Sequence, residues 1–297
     1  MNPELRRDNP ARVRSDGLLR FFLLAYALMW ACFFIVAFTG ISARGLFGSI
    51  LLLTGAFAPG LSATYLTARA EGKTSVKALL GPVLQWRVSA KFYAFALVYM
   101  VAIKLGAATI HRLGSGAWPR FGETPLYLIP VAIALSTPFQ AGEEVGWRGY
   151  ALPRLTSRFG LGRASLILGL IWGCWHLPQF FVRGADTYHQ SFPVYVLQVA
   201  ALSVAFAWVY ARTNGSLLLT MLLHASINNS KDIVPSAVPT ETGILGFKVS
   251  LISWITLGLS WACAVYFLAD MRGRVLVTSP VNARTKQPGD LQKEHRS

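Results

Sequence analysis

The run RASLILGLIWGCWHLPQFFV, Arg163–Val182, decides the architecture. Roughly 20 consecutive apolar residues are enough to cross the hydrocarbon core of a bilayer. This run is long and apolar enough to do so, yet it carries His176 about 13 residues in. Four further polar side chains fall in segments of the same kind: Glu143, Glu144, Arg148 and His224. A charged side chain at the centre of a spanning helix costs roughly 2.5–3.5 kcal/mol by insertion scales. Polar residues kept there against that cost mark a functional site.

Working outward, the same reading gives about eight spans, near 19–39, 46–68, 90–110, 125–146, 163–182, 193–211, 214–230 and 249–270. The expected fold is all-α, a polytopic integral membrane protein with about eight transmembrane helices around a cytoplasm-facing polar cavity. The 297 residues are 54% hydrophobic and only 14% charged, where soluble domains carry about 25% charged residues. Residues 1–18 read as a basic cytoplasmic N-terminus, 19–270 as the membrane domain and 271–297 as a disordered cytoplasmic tail. The apolar run after the N-terminus is too long for a secretory signal, so the first span is expected to stay attached.

The net charge of +15 follows the topology. With the N-terminus inside, 21 of the 28 Lys and Arg residues fall on the inner side and six in outer loops, with Lys104 inside a span. This is a positive-inside pattern, and it places both termini in the cytoplasm. The basic charge then serves orientation and attraction to anionic lipid, so nucleic acid is not expected as a partner. The expected location is a prokaryotic plasma membrane. Cys32, Cys174 and Cys263 lie in apolar stretches and read as small buried hydrophobes. In the second span, Gly55, Gly60, Ser62 and Ala63 predict close helix contacts, and Pro59 predicts a kink.

Three motifs carry the chemistry. In Glu143-Glu144-Val-Gly-Trp147-Arg148, Glu144 and Arg148 are i,i+4 and share a helix face. A salt bridge there leaves Glu143, about 100° away, as the freer carboxylate, suited to act as a general base. The alternative is a solvated helix end with both carboxylates outside the membrane. In Trp172-Gly-Cys-Trp-His176, Trp172 lies one turn before the imidazole and can pack on it or shape a cavity. In His224-Ala-Ser-Ile-Asn228, the imidazole and the amide share a face and can both donate hydrogen bonds to an oxyanion. Either histidine could instead serve as polar glue between helices. A base, two imidazoles, an amide and a buried ion pair on three spans suit water-activated acyl hydrolysis. The sites meet only if the fourth helix runs past Arg148, tilts, or borders a cavity.

Glu143-Glu144-x-x-x-Arg148, Trp172-x-x-x-His176 and His224-x-x-x-Asn228 resemble the motifs of the CAAX-protease and bacteriocin-processing (CPBP, or Abi) intramembrane proteases. Trp172 stands where that family usually has Phe. The resemblance covers about residues 125–230. It implies an intramembrane endopeptidase acting on peptide or lipidated-protein substrates, CaaX-type or bacteriocin-like. It further implies that Glu143 activates water with help from His176, that His224 and Asn228 stabilise the oxyanion, and that Glu144 and Arg148 support the site. No HExxH zinc motif is present. A metal-independent glutamic mechanism is expected, with zinc held by Glu143, His176 and His224 as the alternative. The rival functions are a catalytically silent immunity factor or membrane scaffold, and a transporter using the ion pair as a relay. The sequence leaves the oligomeric state open.

Overall fold

The computed structural model describes residues 10–236 and 243–272. Among them the regular structure is helical, with no strand. In chain order the α-helices are α1 (Pro10–Phe38), α2 (Leu46–Ala56), α3 (Ala58–Leu80), α4 (Ala90–Ser115), α5 (Leu128–Ser136), the single turn α6 (Ala141–Glu144), α7 (Leu152–Phe159), α8 (Leu161–Trp175), α9 (Phe192–Arg212), α10 (Leu217–Ser230) and α11 (Leu251–Asp270). The expected disordered tail lies outside the described residues from position 273 onward.

Five of the described helical segments are long and apolar enough to cross a membrane: Gly17–Phe38, α4, Leu161–Phe181, α9 and α11. A sixth results if α2 and α3, which meet at 53°, form one bent span. Three of the eight expected spans therefore do not stand as long straight helices, the bent α2–α3 pair and two others. The segment expected at 125–146 is a continuous winding whose pitch changes repeatedly, and α10 has only 14 residues. The stretch between the second and third expected spans is also largely helical, because α3 breaks at Gly72 (φ 81°) and a second helical stretch continues to Leu80.

The bend between α2 and α3 falls at Phe57, two residues before Pro59, which sits in the first turn of α3. A ring nitrogen without a hydrogen is tolerated in a first turn and disruptive further in. The bend exposes backbone that the fourth segment approaches closely. A Cβ on Gly146 would lie 2.5 Å from the carbonyl carbon of Pro59, and one on Gly60 would lie 2.8 Å from the carbonyl oxygen of Gly142. Only glycine permits both approaches. The same device joins α8 to α9, where a Cβ on Gly169 would sit 2.7 Å from Ala200 Cα. Small residues let helices touch along their backbones where lipid offers no hydrophobic drive for association.

Polar caps fix the two ends of the bundle. Ser191, Ser216 and Ser250 accept from Val194 N, Leu219 N and Ser253 N and start α9, α10 and α11. The turn Arg212–Ser216 reverses through left-handed Asn214 (φ 52°) and Gly215 (φ 83°), as its residue types predict. At this end Gln85 Nε2 donates to Thr213 O at 3.0 Å, Arg212 pairs with Asp270 at 2.9 Å, and Arg154 pairs with Glu71 at 3.2 Å. At the opposite end Phe192 N donates to Ile244 O at 2.8 Å, Ser191 Oγ to Gly246 O at 2.6 Å, and Gly122 N to Ile233 O at 3.2 Å. Both α1 and α11 place their outer termini, near Gly17 and Asp270, at the first end.

Between the ends the core is aromatic. Trp175 Nε1 donates to Ala25 O, and Trp30 Nε1 to Trp175 O, both at 3.0 Å, tying α8 to α1. Trp147 packs edge-on against Phe21 and Trp175. The cysteines depart from the expectation: Cys32 is buried, Cys263 half-buried and Cys174 exposed, all as free thiols.

Candidate active site

The fourth segment carries Glu143 and Glu144 into the bundle by winding without interruption from Leu128 to Phe159. α5 tightens into a 3-10 turn at Thr137–Gln140, recovers in α6, and widens into a π-helix over Val145–Ala151 before α7. Pro138 in the first 3-10 turn and the glycines that contact α3 set this irregular course. π-turns inside helices occur frequently at functional sites. The helix thus runs past Arg148, the condition on which the meeting of the three motifs depended. The solvated-helix-end alternative is overturned, since Glu144 and Arg148 are both fully buried.

The expected i,i+4 pair forms. Arg148 Nη1 donates to Glu144 Oε1 at 2.8 Å. The same oxygen takes a second contact, from His224 Nδ1 on α10, also at 2.8 Å. Rings flank the guanidinium: its central carbon lies 4.1 Å from the centroid of Trp172 and 4.0 Å from that of Phe206. Cation–π contact of this kind gains strength where water is excluded. Arg148, counted in the inner loops by the charge pattern, is therefore part of the core.

Glu143 stands apart from this cluster. It is half-buried and its Oε2 accepts from Trp172 Nε1 at 2.7 Å. His176 caps the end of α8, and its Nδ1 contacts Trp172 O at 2.8 Å. A carbonyl oxygen can only accept, so Nδ1 carries the hydrogen and a neutral His176 presents Nε2 as a lone pair. His224 Nδ1 likewise carries a hydrogen, which it directs at the Glu144 carboxylate. Trp172 packs against both rings, with centroids 5.8 Å from His176 and 5.5 Å from His224.

Glu143, Trp172, His176, His224 and Asn228 line one cavity of about 560 Å³. Asn228 is exposed, one turn beyond His224, while Asn229 faces away and donates to Ser136 Oγ at 2.8 Å. The structure thus brings all seven expected residues to one place, five on the cavity wall and Glu144 and Arg148 behind it. Tyr195 and Phe206 were not singled out by the sequence reading, because aromatic residues in an apolar span carry no distinguishing signal. Lys104 was visible as a cation within a span. It lines the cavity, with Nζ donating to Val234 O at 3.1 Å and Ser236 Oγ at 2.6 Å.

Along α9 the cavity wall runs from Ser191 to Phe206, and Asp186, Gln190, Lys231 and Ser236 also line it. Among the described residues, no group of three His, Cys, Asp or Glu is arranged to hold a metal ion, and that includes Glu143, His176 and His224.

Two comparisons bear on this site. Residues 123–230 match the family model described as type II CAAX prenyl endopeptidase Rce1-like. "CAAX prenyl protease 2" of Methanococcus maripaludis is 24% identical over 244 residues, a stretch covering 76% of this chain and 89% of that protein. The matched segment contains all three motifs, and both findings support a CPBP-family intramembrane protease.

Proposed function

Starting from a CPBP-family intramembrane endopeptidase, we propose that this chain hydrolyses peptide bonds of membrane-associated substrates with Glu143 as the base that activates water. The observation that carries this reading is the division of labour between adjacent carboxylates. Glu144 is held by Arg148 and His224 behind the wall, whereas Glu143 faces the cavity with one oxygen fixed by Trp172.

In this reading a water bound between Glu143 and His176 gives a proton to the Glu143 carboxylate as its oxygen attacks the scissile carbonyl. The electron pair of the C=O bond moves to oxygen, and His224 and Asn228 stand where donors would meet that oxyanion. Collapse of the tetrahedral species breaks the C–N bond, and the proton held by Glu143 passes to the leaving amine. His176 orients the water through Nε2. Zinc held by Glu143, His176 and His224 would instead supply a polarised water; this reading takes the metal-independent reaction.

The substrate class follows from kinship alone. The relative is named a CAAX prenyl protease, which makes a prenylated, CAAX-type peptide the first candidate. Purified protein in proteoliposomes, incubated with a peptide library, tests the activity. Cleavage by the wild type, lost in both Glu143→Ala and Glu143→Gln and unaffected by a strong chelator, supports the proposal. Equal cleavage by wild type and both variants contradicts it. Loss on chelation with recovery on adding zinc contradicts the metal-independent part.

A further inference from the structure

Building on the peptidase reading above, we propose that Tyr195 is a further catalytic residue, whose hydroxyl donates to the leaving nitrogen as the peptide bond breaks. The tetrahedral species of that reaction carries three heteroatoms. The attacking oxygen lies between Glu143 and His176, and the oxyanion is met by His224 and Asn228. The nitrogen must gain a proton before it departs as an amine, and neither of these sets faces it.

Tyr195 is singled out by its hydroxyl. Several hydroxyls border the cavity, and the others are engaged or shut off. Ser191 donates to Gly246 O, Ser253 to Ser236 O and Thr256 to Ile252 O. Ser236 accepts from Lys104 Nζ, and the Thr187 oxygen is fully buried. Tyr195 is half-buried on the cavity wall. Its oxygen has no hydrogen-bond partner among the described residues and is not sealed from the cavity. A tyrosine hydroxyl is protonated at neutral pH and can both donate and accept.

The ring contacts give the side on which it stands. Trp172 packs against both imidazoles, between His224 and His176. Tyr195 packs edge-on against His176, with centroids 5.4 Å apart, and against buried Phe180 at 5.2 Å. Among the described residues no ring contact joins it to His224. The order along the wall is therefore His224, Trp172, His176, Tyr195. The phenol and the oxyanion donors flank the water site from opposite sides. A tetrahedral carbon that turns its oxyanion toward His224 and Asn228 turns another substituent toward Tyr195, and the nitrogen is the one that needs a donor. The phenol also lies within coulombic reach of the Glu143 carboxylate.

The proton count closes. As the C–N bond breaks, its electron pair stays on nitrogen and takes the Tyr195 proton. The Tyr195 oxygen takes in turn the proton that Glu143 received from the attacking water. Glu143 and Tyr195 return to their starting forms, with the hydroxyl of water on the acyl carbon and its proton on the amine. Tyr195 thus relays the proton that Glu143 holds.

Leaving-group chemistry separates this role from ring packing and from oxyanion binding. A peptide cleaved in the library screen is compared with the 4-nitrophenyl ester of its acyl half. Both pass through the same oxyanion, but nitrophenolate departs without a proton. In proteoliposomes, Tyr195→Phe should lower kcat on the peptide by about 10²-fold, the low end of what a general acid contributes, and leave kcat on the ester near that of the wild type. Glu143→Gln is measured on both substrates. An equal loss on peptide and ester overturns the proposal, and so does an unchanged rate on the peptide. If Tyr195→Phe melts below the wild type, 3,5-difluorotyrosine introduced at Tyr195 keeps the ring and makes the hydroxyl more acidic. The ratio of peptide to ester rates should then shift from the wild-type value, and an unshifted ratio overturns the proposal. Peptide cleavage that survives in Glu143→Gln but falls in Tyr195→Phe contradicts the role of Glu143 and keeps that of Tyr195. Absence of cleavage by the wild type contradicts both.

Discussion

Trp172 Nε1 lies 2.7 Å from Glu143 Oε2, so the indole of α8 fixes the Glu143 carboxylate at the cavity wall. Phenylalanine at this position would keep the ring and lose the donor. Hydrogen bonds to charged groups contribute about 1.5–3 kcal/mol. Trp172→Phe should therefore lower kcat by roughly tenfold or more with little change in KM, because the ring that packs on Arg148 and both imidazoles remains. Steady-state kinetics on any cleaved peptide checks this. An unchanged kcat would show that the indole serves packing alone.

Arg148 stabilises the bundle through Glu144. Removing one partner of a buried ion pair costs about 3–5 kcal/mol, because the other charge is left uncompensated. Arg148→Met should lower the melting temperature in detergent sharply, and Glu144→Gln added to it should restore part of the loss. A double variant no more stable than Arg148→Met would contradict the pairing.

His176 should be a neutral-form Nδ1–H tautomer, since its Nδ1 faces a carbonyl. Nitrogen-15 NMR of histidine-labelled protein, assigned through His176→Gln and His224→Gln, reads this directly. A protonated Nε2 with a bare Nδ1 on His176 would remove its role in orienting water.

The fourth segment reaches its depth through glycine. Gly146→Ala would drive a Cβ to within 2.4–2.7 Å of Pro59, against backbone that cannot rotate away. Overpacking of this kind costs about 1–3 kcal/mol. The variant should lose both stability and cleavage, since displacing the π-helix moves Glu143 from Trp172. Thermal melting and cleavage measured on one preparation check the link, and loss of neither would contradict it.

Much of this site is legible in local spacing. Glu144 with Arg148, and His224 with Asn228, are one turn apart, so the period of a helix alone puts them on shared faces. What spacing does not carry is the contact across the chain. His224 meets Glu144 from 80 residues away and Trp172 meets Glu143 from 29, and both follow from how helices cross. The fourth segment misleads for a related reason. Its apolar run looks like a straight span, but Pro138, Gly142 and Gly146 make it a winding of changing pitch pressed onto the α2–α3 bend.

The central claim, that adjacent carboxylates divide into a base and a structural partner, has one direct measurement. Cleavage rate and melting temperature are compared for Glu143→Gln and Glu144→Gln under identical conditions. The account predicts that Glu143→Gln loses cleavage by about 10³-fold or more while melting as the wild type does, and that Glu144→Gln melts lower. Cleavage by Glu143→Gln at the wild-type rate would contradict it.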